Sequence, residues 1–256
     1  MPAVRESEGH VFFEGETGLF RGLPPGFAAG FTCGDLARAG APAGRAAASL
    51  AAALGAPAAE VARLRQVHGR AVLILEEKPG AGGDLVAGEG DAALTREPGR
   101  LLVVASADCV PILLADPATG WIAAVHAGWR GTALRILVAV LEELGVRGVD
   151  AANLFAAFGP SISRDHYEVG PEVLKEMSEA YEGVPVDPSA TVEGHGDRTL
   201  LDVAAFNRAL LLRRGVPVAN VREAGLCTFD RADLFPSWRR DGPGTGRMLT
   251  GIVRLT

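Results

Sequence analysis

The feature that most constrains the fold is a stretch of three apolar segments between Leu101 and His126. These segments are rich in Val, Ile and Leu, and they predict consecutive strands at 101–105, 111–115 and 121–126. Strands in direct succession with tight Pro and Gly turns favour an α+β sandwich with mixed or antiparallel sheets over a doubly wound Rossmann fold. The part from Leu101 to Ala115 is too short to span a bilayer, and Asp108 and Pro111 interrupt it.

The rest of the chain mixes both element types. Further strands are predicted at 10–14, 27–32, 71–76, 153–158, 218–225 and 247–254, and helices at 43–54, 132–145, 171–181 and 202–213. Thr132 is the expected N-cap of the second helix and Gly145 its stop signal, while Pro171 favours a first helical turn. The glycine-rich patches are too short to act as linkers. The 256 residues are therefore predicted to form a single domain, 1–256.

Composition limits the partners and the compartment. The formal charge is −6, which argues against a nucleic-acid polymer as partner, since such a protein needs a basic face. Met1–Glu8 contains no apolar stretch of signal-peptide length, so we expect a cytoplasmic protein without membrane attachment. The three cysteines are widely spaced and odd in number, which argues against a disulfide framework.

Cys109 and His126 mark the ends of two neighbouring predicted strands. Cys109 precedes the strand at 111–115, and His126 closes the strand at 121–126. If these strands pair, the two side chains can lie side by side. A thiolate beside an imidazole serves either nucleophilic catalysis or metal ligation. A buried apolar cysteine and an ordinary polar histidine are the plain alternatives.

His68 is the third candidate ligand. It follows Arg65-Gln66-Val67 in a predicted loop, whereas His10, His166 and His195 are set aside as residues of the terminus or of polar loops. One cysteine and two histidines (His68, Cys109 and His126) make a three-ligand zinc set with an open fourth position. Such a site can activate a water molecule. Cys227 is distant in sequence and is treated as structural.

Two glycine-rich segments predict an anion site beside these ligands. Gly128, Arg130 and Thr132 lie in a turn that leads into the predicted helix, where free N–H groups would bind an anion. The C-terminal loop predicts a lid that brings Arg247, and with it Arg240, over a bound anion. A plain tight turn and a solvated loop are the alternatives. Asp108 or Asp91 would orient a ligand or accept a proton.

A set of ordered motifs resembles the YfiH-type "multicopper polyphenol oxidase" (laccase-domain) family. The resemblance covers residue 60 to the C-terminus and rests on Arg65-Gln66-Val67-His68-Gly69, Gly90-Asp91-Ala92-Ala93-Leu94-Thr95, Ala107-Asp108-Cys109-Val110-Pro111, Ala124-Val125-His126-Ala127-Gly128-Trp129-Arg130-Gly131, Gly159-Pro160-Ser161-Ile162-Ser163, Tyr167-Glu168-Val169-Gly170, Leu201-Asp202 and Thr245-Gly246-Arg247. Residues 31–45 depart from the family pattern: Gly44-Arg45 stands where Asn-Arg is usual, and an early arginine with two glycines is absent.

The resemblance implies a layered α/β sandwich and an enzyme of purine nucleosides. It implies phosphorolysis of adenosine, inosine, guanosine and methylthioadenosine, with adenosine deamination as a second activity. The implied metal is zinc on His68, Cys109 and His126. Nucleoside and phosphate would be the small-molecule partners of a monomer or homodimer. The residues proposed to hold phosphate or ribose are Arg130, Arg247, Gly128 and Thr132.

Other functions remain open at this stage. A copper polyphenol oxidase would use the same Cys and His ligands, but no methionine lies in these motifs and five histidines are too few for several coppers. A metal-free hydrolase would use Cys109 as nucleophile and His126 as base, leaving His68 without a role. A peptidoglycan editing factor and a binding module without turnover complete the alternatives.

Overall fold

The computed structural model describes residues 10–41, 43–80 and 82–256. The strands are β1 (Val11–Glu14), β2 (Thr17–Phe20), β3 (Phe27–Thr32), β4 (Glu60–Arg65), β5 (Val72–Ile74), β6 (Asp84–Glu89), β7 (Ala92–Thr95), β8 (Arg100–Ser106), β9 (Val110–Ala115), β10 (Ile122–Ala127), β11 (Phe155–Phe158), β12 (Glu168–Val169), β13 (Thr191–Glu193), β14 (Thr199–Leu201), β15 (Val221–Glu223) and β16 (Met248–Arg254). The helices are α1 (Ala43–Ala53), α2 (Trp129–Ala133), α3 (Ile136–Val146), α4 (Pro171–Ala180), α5 (Val203–Arg213) and α6 (Trp238–Asp241). Met1–Glu8, on which the expectation about a signal peptide rests, lies outside the described residues.

Two large mixed sheets form the centre of the molecule. The first has seven strands in the order β1-β2-β3-β16-β8-β4-β6, and the second has six in the order β15-β11-β9-β10-β7-β5. In the first sheet, β16 pairs antiparallel with β3 and β8, whereas β4 pairs parallel with β8 and β6. In the second, β9 and β10 form the expected antiparallel pair. A small third sheet has the order β12-β14-β13.

The apolar strands of the central run are buried on both faces. On β9, Leu113 belongs to the core between the two sheets, together with Leu102 of β8 and Ile252 of β16. Its neighbours Ile112 and Leu114 face the opposite way and pack in the core that contains α3 and α5. Alternate residues of one strand therefore serve two cores, which explains why the strand is apolar throughout.

The outer face of the first sheet is covered by α1. Leu50 and Leu54 of the α1 region pack with Leu101, Val103 and Val253 in a third core. The order of layers is thus helix, sheet, sheet, helices, and the predicted layered α/β sandwich with mixed sheets is confirmed. Within the described residues, no helix is long and apolar enough to cross a membrane.

Several predicted elements differ from the structure. The helix predicted at 132–145 is two helices, α2 and α3, separated at Arg135, whose backbone is left-handed (φ 61°). Thr132 lies inside α2, whose N-cap is Gly128, so its assignment as an N-cap was wrong. The strand predicted at 218–225 is only β15, after a short 3₁₀ turn. Strands β4 and β6 were missed because polar residues interrupt their apolar pattern.

Candidate metal and substrate site

Strand pairing brings the predicted ligands together. In the β9–β10 hairpin, Ala127 pairs with Val110, so Cys109, just before β9, lies beside the end of β10 that carries His126. His68 approaches from the loop after β4. One ligand atom from each of the three side chains lies within 4.8 Å of the others. The rings of His68 and His126 meet edge to face, with 4.9 Å between centroids.

Gly128 leaves room for this cluster. A Cβ atom built on Gly128 would lie 2.8 Å from Cys109 Sγ and 3.3 Å from His68 Cδ2. Both distances are shorter than ordinary van der Waals contact, so any side chain here would displace the thiol or the imidazole. The glycine that sequence analysis assigned to anion binding therefore lies against the ligand cluster itself.

Asp91 organises two of the ligands from a fully buried position. Its Oδ1 atom lies 2.9 Å from His126 Nδ1 and accepts a hydrogen bond from the His68 backbone N–H. Its Oδ2 atom accepts from the N–H groups of Val67 and Gly69. The carboxylate thus orients the His126 ring so that Nε2 faces the cluster, and it holds the loop in which His68 has a left-handed backbone (φ 59°).

The electrostatics favour a thiolate beside an imidazolium when no metal is bound. Burial alone would raise the pKa of Cys109, but hydrogen bonds from His126 and His68 outweigh it and lower that pKa to about 6. Burial would lower the pKa of His126, but hydrogen bonds with Asp91 and Cys109 raise it to about 9. The cluster can therefore present a deprotonated sulfur at neutral pH, which metal ligation and nucleophilic attack both require.

The donor set fits a zinc ion. One thiolate and two imidazoles match the ligand types of zinc sites with an open position. The Asp91–His126 hydrogen bond is the kind of contact that fixes a metal-binding imidazole. The space beside Gly128 keeps the sulfur free of side-chain contacts from that position. These observations support His68, Cys109 and His126 as candidate metal ligands.

A cavity of about 650 Å³ opens onto the cluster, and three arginine–aromatic pairs line it. Arg130 stacks on Trp129, Arg239 on Tyr167 and Arg247 on Trp238, with guanidinium-to-centroid distances of 4.5, 4.8 and 5.6 Å. Arg239 was not singled out from the sequence. The signal that could have found it is the Trp238-Arg239-Arg240 run in a loop already predicted to cover an anion.

Asp108 is engaged by the protein on both carboxylate oxygens. Oδ1 accepts a hydrogen bond from the Thr228 hydroxyl at 2.6 Å, and Oδ2 accepts from the Arg239 N–H at 2.7 Å. Its backbone is left-handed, with φ 92°. Asp108 borders the cavity, and its carboxylate anchors the start of α6 through the hydrogen bond from the Arg239 N–H. Its role as a proton acceptor stays a prediction.

Two other predicted residues face away from the cavity. The Thr132 side chain is fully buried, and its hydroxyl accepts a hydrogen bond from Asn207 Nδ2. Arg240 donates hydrogen bonds to the carbonyls of Thr228, Phe229 and Phe235, so it fastens the C-terminal loop and does not cover an anion.

The segment that departs from the family pattern borders a second cavity. This cavity has a volume of about 440 Å³, is lined by residues 36, 38–41 and others, and shares Arg247 and Gln66 with the first. Part of this segment therefore lies beside the site, close to Arg247.

Comparison with known proteins agrees with the motifs. The family model described as multi-copper polyphenol oxidoreductase laccase matches residues 9–255. A protein named adenosine deaminase RL5, from an unknown prokaryotic organism, is 39% identical over 207 residues, which is 78% of this chain and 77% of that protein. A purine nucleoside phosphorylase of Deinococcus radiodurans is 42% identical over 194 residues, 76% and 70% of the two chains.

The fold has a close counterpart among solved structures. YlmD from Geobacillus stearothermophilus superposes with a TM-score of 0.80 at 28% identity, covering 97% of this chain and 100% of that one. The layered arrangement is therefore shared over nearly the whole chain.

Proposed function

Because the chain belongs to the multi-copper polyphenol oxidoreductase laccase family, the YfiH-type family that its motifs indicate, we propose that it is a zinc-dependent purine nucleoside phosphorylase with adenosine deamination as a second activity. Its proposed substrates are adenosine, inosine, guanosine and methylthioadenosine, each with phosphate as co-substrate. Relatives that carry the names phosphorylase and deaminase support both reactions.

The observation that carries the proposal is the lining of the cavity over Cys109. Three guanidinium groups border it, from Arg130, Arg239 and Arg247, and an oxyanion is what a planar guanidinium fork binds best. Three aromatic rings, from Trp129, Tyr167 and Trp238, line the same cavity beside these guanidinium groups and provide flat apolar surface for a purine base. Groups that suit a phosphate and groups that suit a purine base thus line one cavity, as the proposed phosphorolysis requires.

In the proposed reaction, a phosphate oxygen forms a bond to the ribose C1′ atom while the C1′–N9 bond breaks. The bonding electron pair leaves with the purine, which takes up a proton. The positive charges of the arginines offset the negative charge of the phosphate, and their N–H groups orient it. Burial and the charge of Cys109 raise the pKa of Tyr167 to about 12, so its phenol stays protonated at neutral pH and can donate a hydrogen bond to substrate.

His68, Cys109 and His126 would hold the metal in this scheme. A zinc ion bound there supplies a Lewis acid and lowers the pKa of a bound water, the chemistry that deamination needs. Asp91 keeps His126 oriented, and its own pKa is lowered because hydrogen bonds from His126, Gly69 and Val67 outweigh the effect of burial. It therefore remains a carboxylate through the reaction.

The test is product analysis with adenosine, with and without phosphate. We expect adenine and ribose 1-phosphate when phosphate is present, and inosine as the deamination product. Zinc returned to metal-free protein should restore activity, whereas copper should not. Arg247→Gln should raise the KM for phosphate, and Arg65→Gln, an exposed arginine paired with Glu89, is the matched control. Absence of every product, or full activity of Cys109→Ala, would overturn the proposal.

One observation favours a second function, a metal-free hydrolase. Cys109, His126 and Asp91 are connected by hydrogen bonds in the order nucleophile, base and orienting carboxylate. In that mechanism the Cys109 thiolate would bond to an acyl carbon of the substrate while the bond from that carbon to the leaving group breaks, and the leaving group would take the proton of His126. Water would then hydrolyse the thioester, and zinc would inhibit by occupying the sulfur. Activity that rises when zinc is removed, and a substrate fragment attached to Cys109 in mass spectra, would favour it over the phosphorylase.

A further inference from the structure

A second group of potential metal ligands lies outside the cavity over Cys109. It consists of His166, Cys227 and Asp230, whose ligand atoms all lie within 4.8 Å of one another. From the sequence alone, Cys227 is treated as structural because it is distant from the first ligand set, and His166 is set aside as a polar loop residue; the two are 61 positions apart in the chain. Tertiary structure brings them together in a region that the proposed reaction does not use.

Local structure places two of these ligands on one turn. Cys227 and Asp230 are three residues apart, and the Arg231 N–H donates to the Cys227 carbonyl at 3.1 Å, which closes a helical turn between them. Residues at this spacing on a turn face the same side. The Cys-x-x-Asp pair is thus presented in the way that Cys-x-x-Cys turns present ligands to zinc.

The third ligand is held in place without a metal. The His166 ring stacks on Phe229, with centroids 4.3 Å apart and planes 13° from parallel. Its Nε2 atom lies 2.6 Å from Asp230 Oδ1. Cys227 Sγ accepts a hydrogen bond from the Ser163 N–H at 3.3 Å. All three side chains are therefore oriented toward a common point, so little ordering entropy opposes binding.

From this geometry we propose that His166, Cys227 and Asp230 form a second metal site that takes a divalent transition-metal ion, zinc above all. A thiolate, an imidazole and a carboxylate together suit a borderline ion such as Zn²⁺ and disfavour Mg²⁺ or Ca²⁺, which require oxygen ligands. The ion lies between His166 Nε2 and Asp230 Oδ1 and replaces their direct contact. Water occupies its fourth position.

The site is open to solvent. Cys227 and Asp230 line a cavity of about 650 Å³ that also includes Ser163 and Arg164. The Asp230 side chain is 55% exposed and that of His166 is 31% exposed. An ion can thus enter from bulk water, and the ligands can rotate by the small amount that tetrahedral coordination requires.

The second site is connected to the first through the backbone. His166 directly precedes Tyr167, which forms part of the wall of the cavity over Cys109. Arg239 stacks on Tyr167 and also donates to the Glu168 carbonyl. A metal ion bound to His166 would hold Tyr167, and with it this wall of the cavity, in place. The second metal site nevertheless shares no ligand with the Cys109 cluster. The proposal consequently stands or falls independently of the phosphorylase activity.

Cobalt titration tests the second site directly. In a Cys109→Ala background, which removes the first thiolate ligand, metal-free protein is titrated with Co²⁺. We expect a thiolate-to-cobalt charge-transfer band in the near ultraviolet, because only a cysteine sulfur bound to the ion produces it. Adding Cys227→Ser should abolish the band. The serine keeps the size of the side chain and an acceptor for the Ser163 N–H, so folding can be checked by circular dichroism.

A matched pair of carboxylate variants sharpens the test. Asp230→Asn in the same background should weaken Co²⁺ binding roughly tenfold or more, whereas Asp165→Asn, next to His166 but paired with Arg164, should leave it unchanged. Zn²⁺ should displace Co²⁺ and bleach the band. No band in the Cys109→Ala protein, or a band that survives Cys227→Ser, overturns the proposal. Equal Co²⁺ affinity of the Asp230→Asn and Asp165→Asn proteins overturns the three-ligand set by removing Asp230 from it.

Discussion

At the scale of single residues, the Cys-His cluster depends on Gly128, because there is no room for a side chain at this position. Gly128 has φ −71° and ψ 171°, an extended backbone that any residue can adopt. Its identity is therefore required by space and not by backbone conformation. The Cβ of any other residue would push against Cys109 Sγ.

Gly128→Ala should accordingly separate metal binding from stability. We expect zinc affinity and activity to fall about 10- to 100-fold, as for other disturbances around metal ligands, with a small change in the free energy of unfolding. Gly145→Ala is the matched control, because a Cβ at Gly145 in α3 meets nothing within 4 Å. It should stabilise the protein by about 0.5–1 kcal/mol. Unchanged zinc affinity in Gly128→Ala would show that the cluster can relax.

The Cys109 thiolate should be visible in the pH dependence of alkylation. In metal-free protein, the rate of iodoacetamide reaction at Cys109 should rise with pH to half its maximum near pH 6, the pKa of that thiol. Because the pKa of His126 is about 9, the thiolate–imidazolium pair exists between about pH 6 and pH 9. Peptide mass mapping distinguishes Cys109 from Cys33 and Cys227.

Removing the imidazolium provides the contrast for this measurement. His126→Ala should move the midpoint upward, toward the ordinary value of 9.0, because hydrogen bonding from His126 is the largest influence that lowers the thiol pKa. A midpoint that stays near pH 6 in this variant would assign the effect to another group.

At the scale of elements, the Asp108 carboxylate is one of the groups that hold α6 over the cavity. Asp108 lies between β8 and β9, and its oxygens accept from the Arg239 N–H and the Thr228 hydroxyl. Ser237 caps the same short helix by accepting from the Arg240 N–H. Because α6 has only four residues, it has little stability of its own and depends on these bonds. Asp108 therefore contributes to the positions of Trp238 and Arg239 in the cavity.

Asp108→Ala should loosen this element. It leaves two donors without partners, and we expect a loss of about 3–6 kcal/mol in the free energy of unfolding, since hydrogen bonds to charged groups contribute roughly 1.5–3 kcal/mol each. Hydrogen exchange should increase at residues 237–242, and the KM for phosphate should rise more than kcat falls. Thr228→Val removes one of the two bonds and should show a smaller effect on exchange. A selective loss of kcat with unchanged exchange would instead assign Asp108 a catalytic role.

At the scale of the whole molecule, residues distant in sequence build the site. The last strand, β16, pairs with β3 and β8 at the centre of the first sheet. The segment before it, which consists of α6 and the following loop, brings Trp238, Arg239 and Arg247 to the cavity over Cys109. The same long-range packing places Cys227 beside His166. Both candidate sites thus form only when the sheets are complete.

Much of the architecture could be predicted from local patterns. The apolar run from Leu101 to His126 indicates paired strands because a strand covered on both faces must be apolar at every position. The proximity of Cys109 and His126 could be predicted from the sequence, since the register of a hairpin places the start of one strand beside the end of the other. His68 could be named from its motif but not from spacing, because its loop is held by Asp91 from the turn between β6 and β7.

Only the tertiary structure decided the contacts between segments that are distant in sequence, because the periodic pattern of apolar residues in one segment carries no information about its partners. The sequence by itself determined the layered α/β class and the Cys-His cluster, through apolar patterning and the motifs that surround the ligands. Packing decided that Asp108 anchors α6, that Thr132 is buried against Asn207, and that Arg239 stacks on Tyr167. It also decided that Cys227 meets His166 and Asp230. These contacts join separate segments that are brought together because the two sheets pack closely against each other. Such packing depends on many residues at once and cannot be deduced from any single one.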